Sequence, residues 1–315
     1  MAPTPDLWDC IIVGAGPGGL SAALYMARFK RRILVIHDAR ARALRIPKTH
    51  NAPGFDEGVS GRELIDRMMR HAVLYGALVE EEHVSSAEAS NGMFVLRSAE
   101  GREWQARTLI VATGIELNQI TLPDDVHEAA IHANVLRYCP VCDAFEHAGK
   151  RIGVVGCDSQ GAAEALFLAR YSDDITLLPR CFTELTETER ADLAAANINL
   201  CEAPVVRYEP QKDMMCVYVE GRTDPIKLDV LYPALGTSPR TQLAQQLGVA
   251  LNASSCVPAD AMLETNVPGL WCAGDILEGL DQISVAMGHG AVAATKAHNW
   301  LRELDRHVVG DRAAS

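Results

Sequence analysis

The chain has 315 residues, 48% hydrophobic and 22% charged, the balance of a globular protein at a length that suits two domains better than one. Acidic residues number 41 against 29 basic ones, and the net charge of −12 repels phosphate backbones and anionic lipid, which excludes nucleic acid and membrane as partners. No run approaches the roughly 18 apolar residues of a membrane span, and the start MAPTPDLWDC has neither a basic segment nor a long apolar core, so a cytoplasmic location is expected.

Residues 9–13 (DCIIV) read as a buried parallel strand. The turn Gly14-Ala15-Gly16-Pro17-Gly18-Gly19 follows, and then the helical stretch LSAALYMARF. Gly14, Gly16 and Gly19 fill a GxGxxG pattern between strand and helix, with Pro17 inside it. That is the arrangement that aims a helix N-terminus at a dinucleotide pyrophosphate. A second strand, residues 32–36, ends at His37-Asp38. An acid at this point binds the adenosine ribose; His37 holds the expected place, and Asp38, one residue later, is assigned the role. The acidic run Glu80-Glu81-Glu82 reads as a solvated strand edge, and Trp104 as core packing. Residues 108–114 (TLIVATG) form a buried strand ending in a glycine turn.

The chain carries nine cysteines, of which Cys139 and Cys142 alone stand at CxxC spacing, in Cys139-Pro140-Val141-Cys142. An odd count, widely spread, argues against a structural disulfide framework. With no second CxxC and no HxxxH partner, a closed zinc site is not supported and no metal is expected. By spacing alone the pair is a redox couple, half a metal site or two ordinary thiols. Residues 151–171 repeat the strand, turn and helix, with Gly156 and Gly161 at the first and last glycine positions, Ser159 between them and Asp158 where the middle glycine belongs. That aspartate is unfavourable for a dinucleotide, because it crowds the backbone and sets a carboxylate near a pyrophosphate. The next strand, residues 175–178, leads into Pro179-Arg180-Cys181, where Arg180 stands alone for a 2′-phosphate. The second repeat is either a working, weakened nicotinamide site built on Gly156, Ser159, Gly161 and Arg180, or a scaffold of the same shape.

Residues 230–236 (VLYPALG) echo the earlier TLIVATG, and residues 269–275 (GLWCAGD) run into Gly274-Asp275, an acid placed for a flavin hydroxyl. Trp271 in that run is assigned to packing in the core or near the flavin. A helix over residues 282–303 closes the chain. The fold class expected is α/β, with two Rossmann-like dinucleotide-binding domains, the second inserted into the first. Residues 1–117 and 248–315 form the split domain, and residues 118–247 form the inserted, NAD(P)-binding-like domain that carries the CxxC.

These residues together resemble the low-molecular-weight thioredoxin reductase family along nearly the whole chain. The matching segments are GAGPGG at 14–19, NAPGF at 51–55, VATG at 111–114, YCPVCD at 138–143, LGTSP at 235–239, TNVPGLWCAGD at 265–275 and DQISVAMGHGAVAA from Asp281. The resemblance implies FAD on the split domain and a homodimer. It places Asp275, Gln282 and Ile283 beside the flavin, and Asn51, Thr113 and Gly114 along its pocket. It also implies that Cys142 meets the flavin, Cys139 exchanges disulfides with substrate, and Asp143 shuttles the proton. Pro140 stiffens the loop between the cysteines.

Three features depart from that family: Asp158 in the second fingerprint, a single arginine where a basic HRRxxxR segment holds the NADPH phosphate, and CPVC followed by Asp143-Ala144 as the redox motif. Proline in the motif resembles the flavin dithiol oxidases that close disulfides in natural products of the gliotoxin, holomycin and romidepsin type, although the gliotoxin-type members carry His where this chain has Asp143. The leading expectation is a dithiol oxidase acting on a small molecule or peptide, with oxygen or another acceptor. The alternatives are a reductase of a thioredoxin-like protein driven by NADPH or a ferredoxin-like donor, and a non-catalytic flavin redox sensor. His289, His50, His132 and Arg137 lie near these segments. His289 and His50 could serve as acid/base groups, and His132 and Arg137 could contact substrate, but packing or solvated surface is the assignment for all four. Cys157, which could be redox active, has no partner at CxxC spacing and is assigned as a small buried residue.

Overall fold

The computed structural model describes residues 7–260 and 262–307. Residues 1–6, on which part of the reading of the N-terminus rests, lie outside them. The chain divides into two compact units: Met1–Leu44, Val59–Glu116 and Ser238–Ser315 form the first, and Arg45–Gly58 with Leu117–Thr237 the second. Both are mixed α/β, as two Rossmann-like domains should be.

The first unit opens with β1 (Leu7–Val13), α1 (Pro17–Arg28) and β2 (Ile33–His37), then α2 (Gly61–Leu74), β3 (Leu78–Glu81), β4 (Val84–Ser90), β5 (Met93–Ser98), β6 (Glu103–Val111) and β7 (Ile115–Leu117). Pro17 supplies the first helical residue of α1, where its missing N–H costs nothing, and the helix buries Leu20, Ala22, Ala23 and Met26. Ser60 caps α2 by accepting from the Glu63 N–H. Asn91 and Gly92, both with positive φ, make the two-residue turn of the β4–β5 hairpin. Strands β3, β2, β1 and β6 lie side by side, parallel, and β5 and β4 extend the sheet antiparallel. The Glu80 carboxylate, on edge strand β3, accepts from Arg102 and from the Trp104 indole, so it is less purely solvated than its acidic run suggested.

The second unit runs through α3 (Asp124–His132), α4 (Pro140–Asp143), β8 (Ile152–Val155), α5 (Ser159–Leu168), β9 (Ile175–Leu178), α6 (Glu187–Ala195), β10 (Asn199–Leu200), β11 (Val205–Pro210), β12 (Met215–Val219), β13 (Ile226–Leu228) and β14 (Val230–Pro233). Its parallel sheet has the order β10-β9-β8-β14, and β11, β12 and β13 form an antiparallel sheet.

The chain returns to the first unit in β15 (Thr237–Pro239), followed by α7 (Gln242–Gln246), β16 (Leu270–Cys272) and α8 (Ile283–Leu304). β16 joins the sheet parallel to the end of β6. The return falls about ten residues before the expected 248, because Leu243 and Ala244 on α7, and Leu247 after it, belong to the core that holds Ile11, Leu34 and Leu109. Segment Arg45–Gly58 belongs to the second unit, where Arg45 pairs with Glu128. Among the described residues, no helix is long and apolar enough to cross a membrane.

Candidate active site

Cys139 and Cys142 are joined by a disulfide with their Cα atoms 5.2 Å apart. Cys139 is the N-cap of α4 and Pro140 its first helical residue, so the proline removes no hydrogen bond from the turn. The Cys142 N–H donates to the Cys139 carbonyl at 2.9 Å, closing the turn behind the disulfide. Both cysteines are half-buried, with Val141 exposed between them and Phe145 exposed just beyond. The Asn51 side chain donates to the Val141 carbonyl at 3.4 Å, which places Asn51 with the disulfide in the second unit.

Asp143 is buried, and both of its oxygens are engaged. The Tyr232 hydroxyl donates to Oδ1 at 2.7 Å, and Arg137 Nε donates to Oδ2. Burial pushes the Asp143 carboxyl above the usual carboxylate range, while the Arg137 charge and the Tyr232 hydroxyl pull it back. A carboxylate held this way, one residue after Cys142, can take up and return a proton. Arg137 is itself buried, and Asn134 accepts from its Nη1 at 3.2 Å. This corrects its assignment to solvated loop: a guanidinium so deep persists because it is paired. His147 lies edge-on to the Tyr232 ring, and burial drives its pKa down to about 4. Tyr232 carried one sequence signal, a phenol in the otherwise apolar run VLYPALG, whereas Arg137 and His147 carried none specific to a partner.

The first unit holds the expected flavin-site residues other than Asn51. Gly14 has φ +113, and a Cβ there would lie 2.2 Å from the Ala112 carbonyl oxygen, so only glycine closes this turn. Gly16 caps α1 without any side-chain hydrogen bond, and a Cβ on Gly16 or on Gly114 would enter open space. Thr113 Oγ1 donates to the Arg240 carbonyl at 2.6 Å. Gly274 and Asp275 follow β16, and Gln282 and Ile283 start α8. Arg42, which no motif marked, reaches Asp275 Oδ2 at 3.1 Å and donates to the Asp281 carbonyl at 3.0 Å. Burial raises the Asp275 carboxyl, and Asp281 rises to about 6 through burial and the neighbouring Asp275. Asp38 accepts from Arg40 Nε at 2.9 Å and also faces His83 at 3.4 Å.

A dinucleotide fits this seat. An open glycine turn, a helix start with no side-chain cap and the buried His289 Nδ1, which finds no hydrogen-bond partner among the described residues, are what a bound phosphate and a polar ring system would complete. His289 also bears electrostatically on Asp275.

In the second unit, Gly156 and Gly161 approach so closely that a Cβ on Gly156 would lie 2.7 Å from the Gly161 Cα. Asp158 proves to be the N-cap of α5, whose first helical residue is Ser159, and its Oδ1 accepts from the Gly161 N–H at 3.1 Å. The residue that spoils the glycine pattern therefore stabilises the helix. Arg180 is exposed. Cys157 is corrected too: it is only half-buried, and its Sγ lies 2.7 Å from Cys181 Sγ. CxxC spacing could not reveal that pair, because the partners are 24 residues apart and meet only through neighbouring strands.

Residues 8–290 match the family model of pyridine nucleotide-disulphide oxidoreductases. The chain is 28% identical over 311 residues to a thioredoxin reductase of Bacillus subtilis (strain 168), covering 95% of this chain and 96% of the relative. It is 27% identical over 305 residues to the 34.2 kDa protein in the rubredoxin operon of Clostridium pasteurianum, covering 93% and 97%. Among solved structures, thioredoxin reductase from Streptococcus pyogenes MGAS5005 superposes with a TM-score of 0.88 at 22% identity, over 95% of this chain and all of that one, a likeness of fold. The crystal structure of HlmI superposes with a TM-score of 0.87 at 26% identity, over 95% and 94%.

Proposed function

Because this chain belongs to the pyridine nucleotide-disulphide oxidoreductase family and is an FAD-dependent oxidoreductase of sulfur groups, we propose that it works as a dithiol oxidase, closing a disulfide in a small molecule or peptide with oxygen or another acceptor. The observation that carries this direction is the Asp158 cap. Its carboxylate occupies the Gly161 N–H at the start of α5, so a nicotinamide dinucleotide pyrophosphate would meet a negative charge where its fold offers a bare amide. Arg180 is the single basic residue in the segment 179–185 to meet a 2′-phosphate. The CPVC motif adds its resemblance to disulfide-forming enzymes.

In the reaction, one substrate thiolate attacks Cys139 Sγ and displaces Cys142 as a thiolate. The second substrate thiol then attacks the mixed disulfide and displaces Cys139, leaving an oxidised substrate and a reduced cysteine pair. Asp143 passes a proton to the departing Cys142 thiolate and takes it back when the pair is reoxidised, with Arg137 and Tyr232 holding its carboxylate in place. Gly14, Gly16, Pro17, Gly19, Thr113, Gly114, Gly274, Asp275, Gln282 and Ile283 hold FAD, with Asp38 toward its ribose. When bound, FAD supplies a two-electron acceptor for the reduced pair. With oxygen as terminal acceptor, one dithiol and one O₂ give one disulfide and one hydrogen peroxide.

A reductase of a thioredoxin-like protein, driven by NADPH or a ferredoxin-like donor, is the second reading, supported by the name of the Bacillus subtilis relative. Mixing the FAD-loaded protein with dithiothreitol without air distinguishes the two. The dithiol is expected to bleach the flavin, admitted oxygen to restore it, and NADPH to leave the colour unchanged. Rapid bleaching by NADPH, followed by turnover of thioredoxin, would overturn the oxidase direction. The seven cysteines outside the disulfide are free thiols, which supports a reducing compartment such as the cytoplasm. The homodimer rests on the family resemblance.

A further inference from the structure

β8 and β9 are neighbours in the parallel sheet of the second unit, and the loops that leave their C-terminal ends carry Cys157 and Cys181. Both are free thiols, Cys157 half-buried and Cys181 exposed, with their sulfurs 2.7 Å apart. A disulfide bond is about 2.05 Å long, so the sulfurs need to close by less than about 1 Å. The two loops are already fastened together, because the Glu184 N–H donates to the Cys157 carbonyl at 2.6 Å. Closure therefore asks little of the backbone.

We propose that Cys157 and Cys181 are a second dithiol–disulfide pair, separate from Cys139 and Cys142, that closes by exchange with a low-molecular-weight disulfide of the glutathione type. Cys181, the exposed partner, attacks first as its thiolate: one sulfur of the small disulfide joins Cys181 and the other leaves as a thiolate. Cys157 then releases its proton to solvent and attacks the Cys181 sulfur, expelling the second small thiolate. Two protein thiols lose two electrons and two protons, and the small disulfide gains both to become two thiols. Burial and the neighbouring Cys181 raise the Cys157 thiol to about 11, which fits the resolving role and not the attacking one.

The place gives the pair a consequence. In a Rossmann-like unit, the turn after the first strand and the loop after the second bracket the pyrophosphate and the adenosine ribose of a dinucleotide. A bond from Cys157 to Cys181 spans that interval and pins the loop carrying Arg180 against the glycine turn. The pair is thus a redox-controlled clasp between the glycine turn and the Arg180 loop of the second unit. It rests on the geometry of these two loops alone and stands whichever way electrons run through Cys139 and Cys142.

The test is made on the full-length, FAD-loaded protein. It is incubated with oxidised glutathione, freed of reagent, alkylated with iodoacetamide and mapped by peptide mass spectrometry without reduction. Two of the seven free cysteines, Cys157 and Cys181, are expected to lose alkylation together and to appear in one cross-linked peptide pair. In the Cys181→Ser variant that cross-link is absent, and Cys157 carries at most one glutathione. If Cys157 and Cys181 in the unsubstituted protein stay alkylatable, or carry separate glutathiones without a cross-link, the proposal is overturned. Neither readout depends on flavin turnover, so the oxidase reading and this one fail independently.

Discussion

Asp143 accepts hydrogen bonds from both Arg137 and Tyr232. Asp143→Asn preserves its shape but removes the charge and the proton acceptor, and general acid–base groups contribute about 10²–10⁴-fold. Dithiol turnover, followed by oxygen uptake, is expected to fall at least about 100-fold while flavin content is kept. A variant as fast as the unsubstituted protein would show that the proton goes elsewhere. Asp143 was legible in the sequence because it follows Cys142 directly. Its partners were not: Tyr232 lies 89 residues away, and nothing local distinguishes Arg137 from a surface arginine. Side chains that meet through tertiary packing leave no spacing to read.

Helices α1 and α8 cross where Gly18 and Gly290 touch: a Cβ on Gly290 would stand 2.1 Å from the Gly18 carbonyl oxygen and 2.8 Å from the Ala22 nitrogen. Backbone on the far side cannot rotate away, so Gly290→Ala is expected to destabilise by about 1–3 kcal/mol. Gly288, two residues earlier in the same helix, has nothing within 4 Å of its would-be Cβ, and Gly288→Ala is expected to gain up to about 1 kcal/mol from helix propensity. Urea unfolding of both variants checks the pair, and equal effects would refute the close crossing. In the sequence the two glycines look alike in GHG. The GxGxxG turn was readable because strand, glycines and helix follow one another without interruption. At Asp158 the same template shows only a missing glycine, because it compares positions and cannot show that the side chain caps the helix that follows.

At the scale of the molecule, the alternation of strands and helices made the two-domain plan legible, but the junctions were read less accurately. Helix α7 is too short and too polar for periodicity to show which core it joins, and Leu243 and Ala244 settle that by packing. If FAD is held in the first unit alone, as proposed, scanning calorimetry is expected to resolve two transitions, of which flavin raises one. The gain is about 2.7 kcal/mol when free FAD stands at a hundred times its dissociation constant. Equal displacement of both transitions would place flavin binding outside a single unit. The order of segments along the chain has one more consequence. Residues 7 and 307 both belong to the first unit, and the second is threaded between its segments. Tension applied through the two ends of the described chain therefore loads the first unit before any force enters the second. Under mechanical unfolding the first unit is expected to give way while the Cys139–Cys142 turn in the second is still intact, as if the redox pair lay on a slack length of the chain.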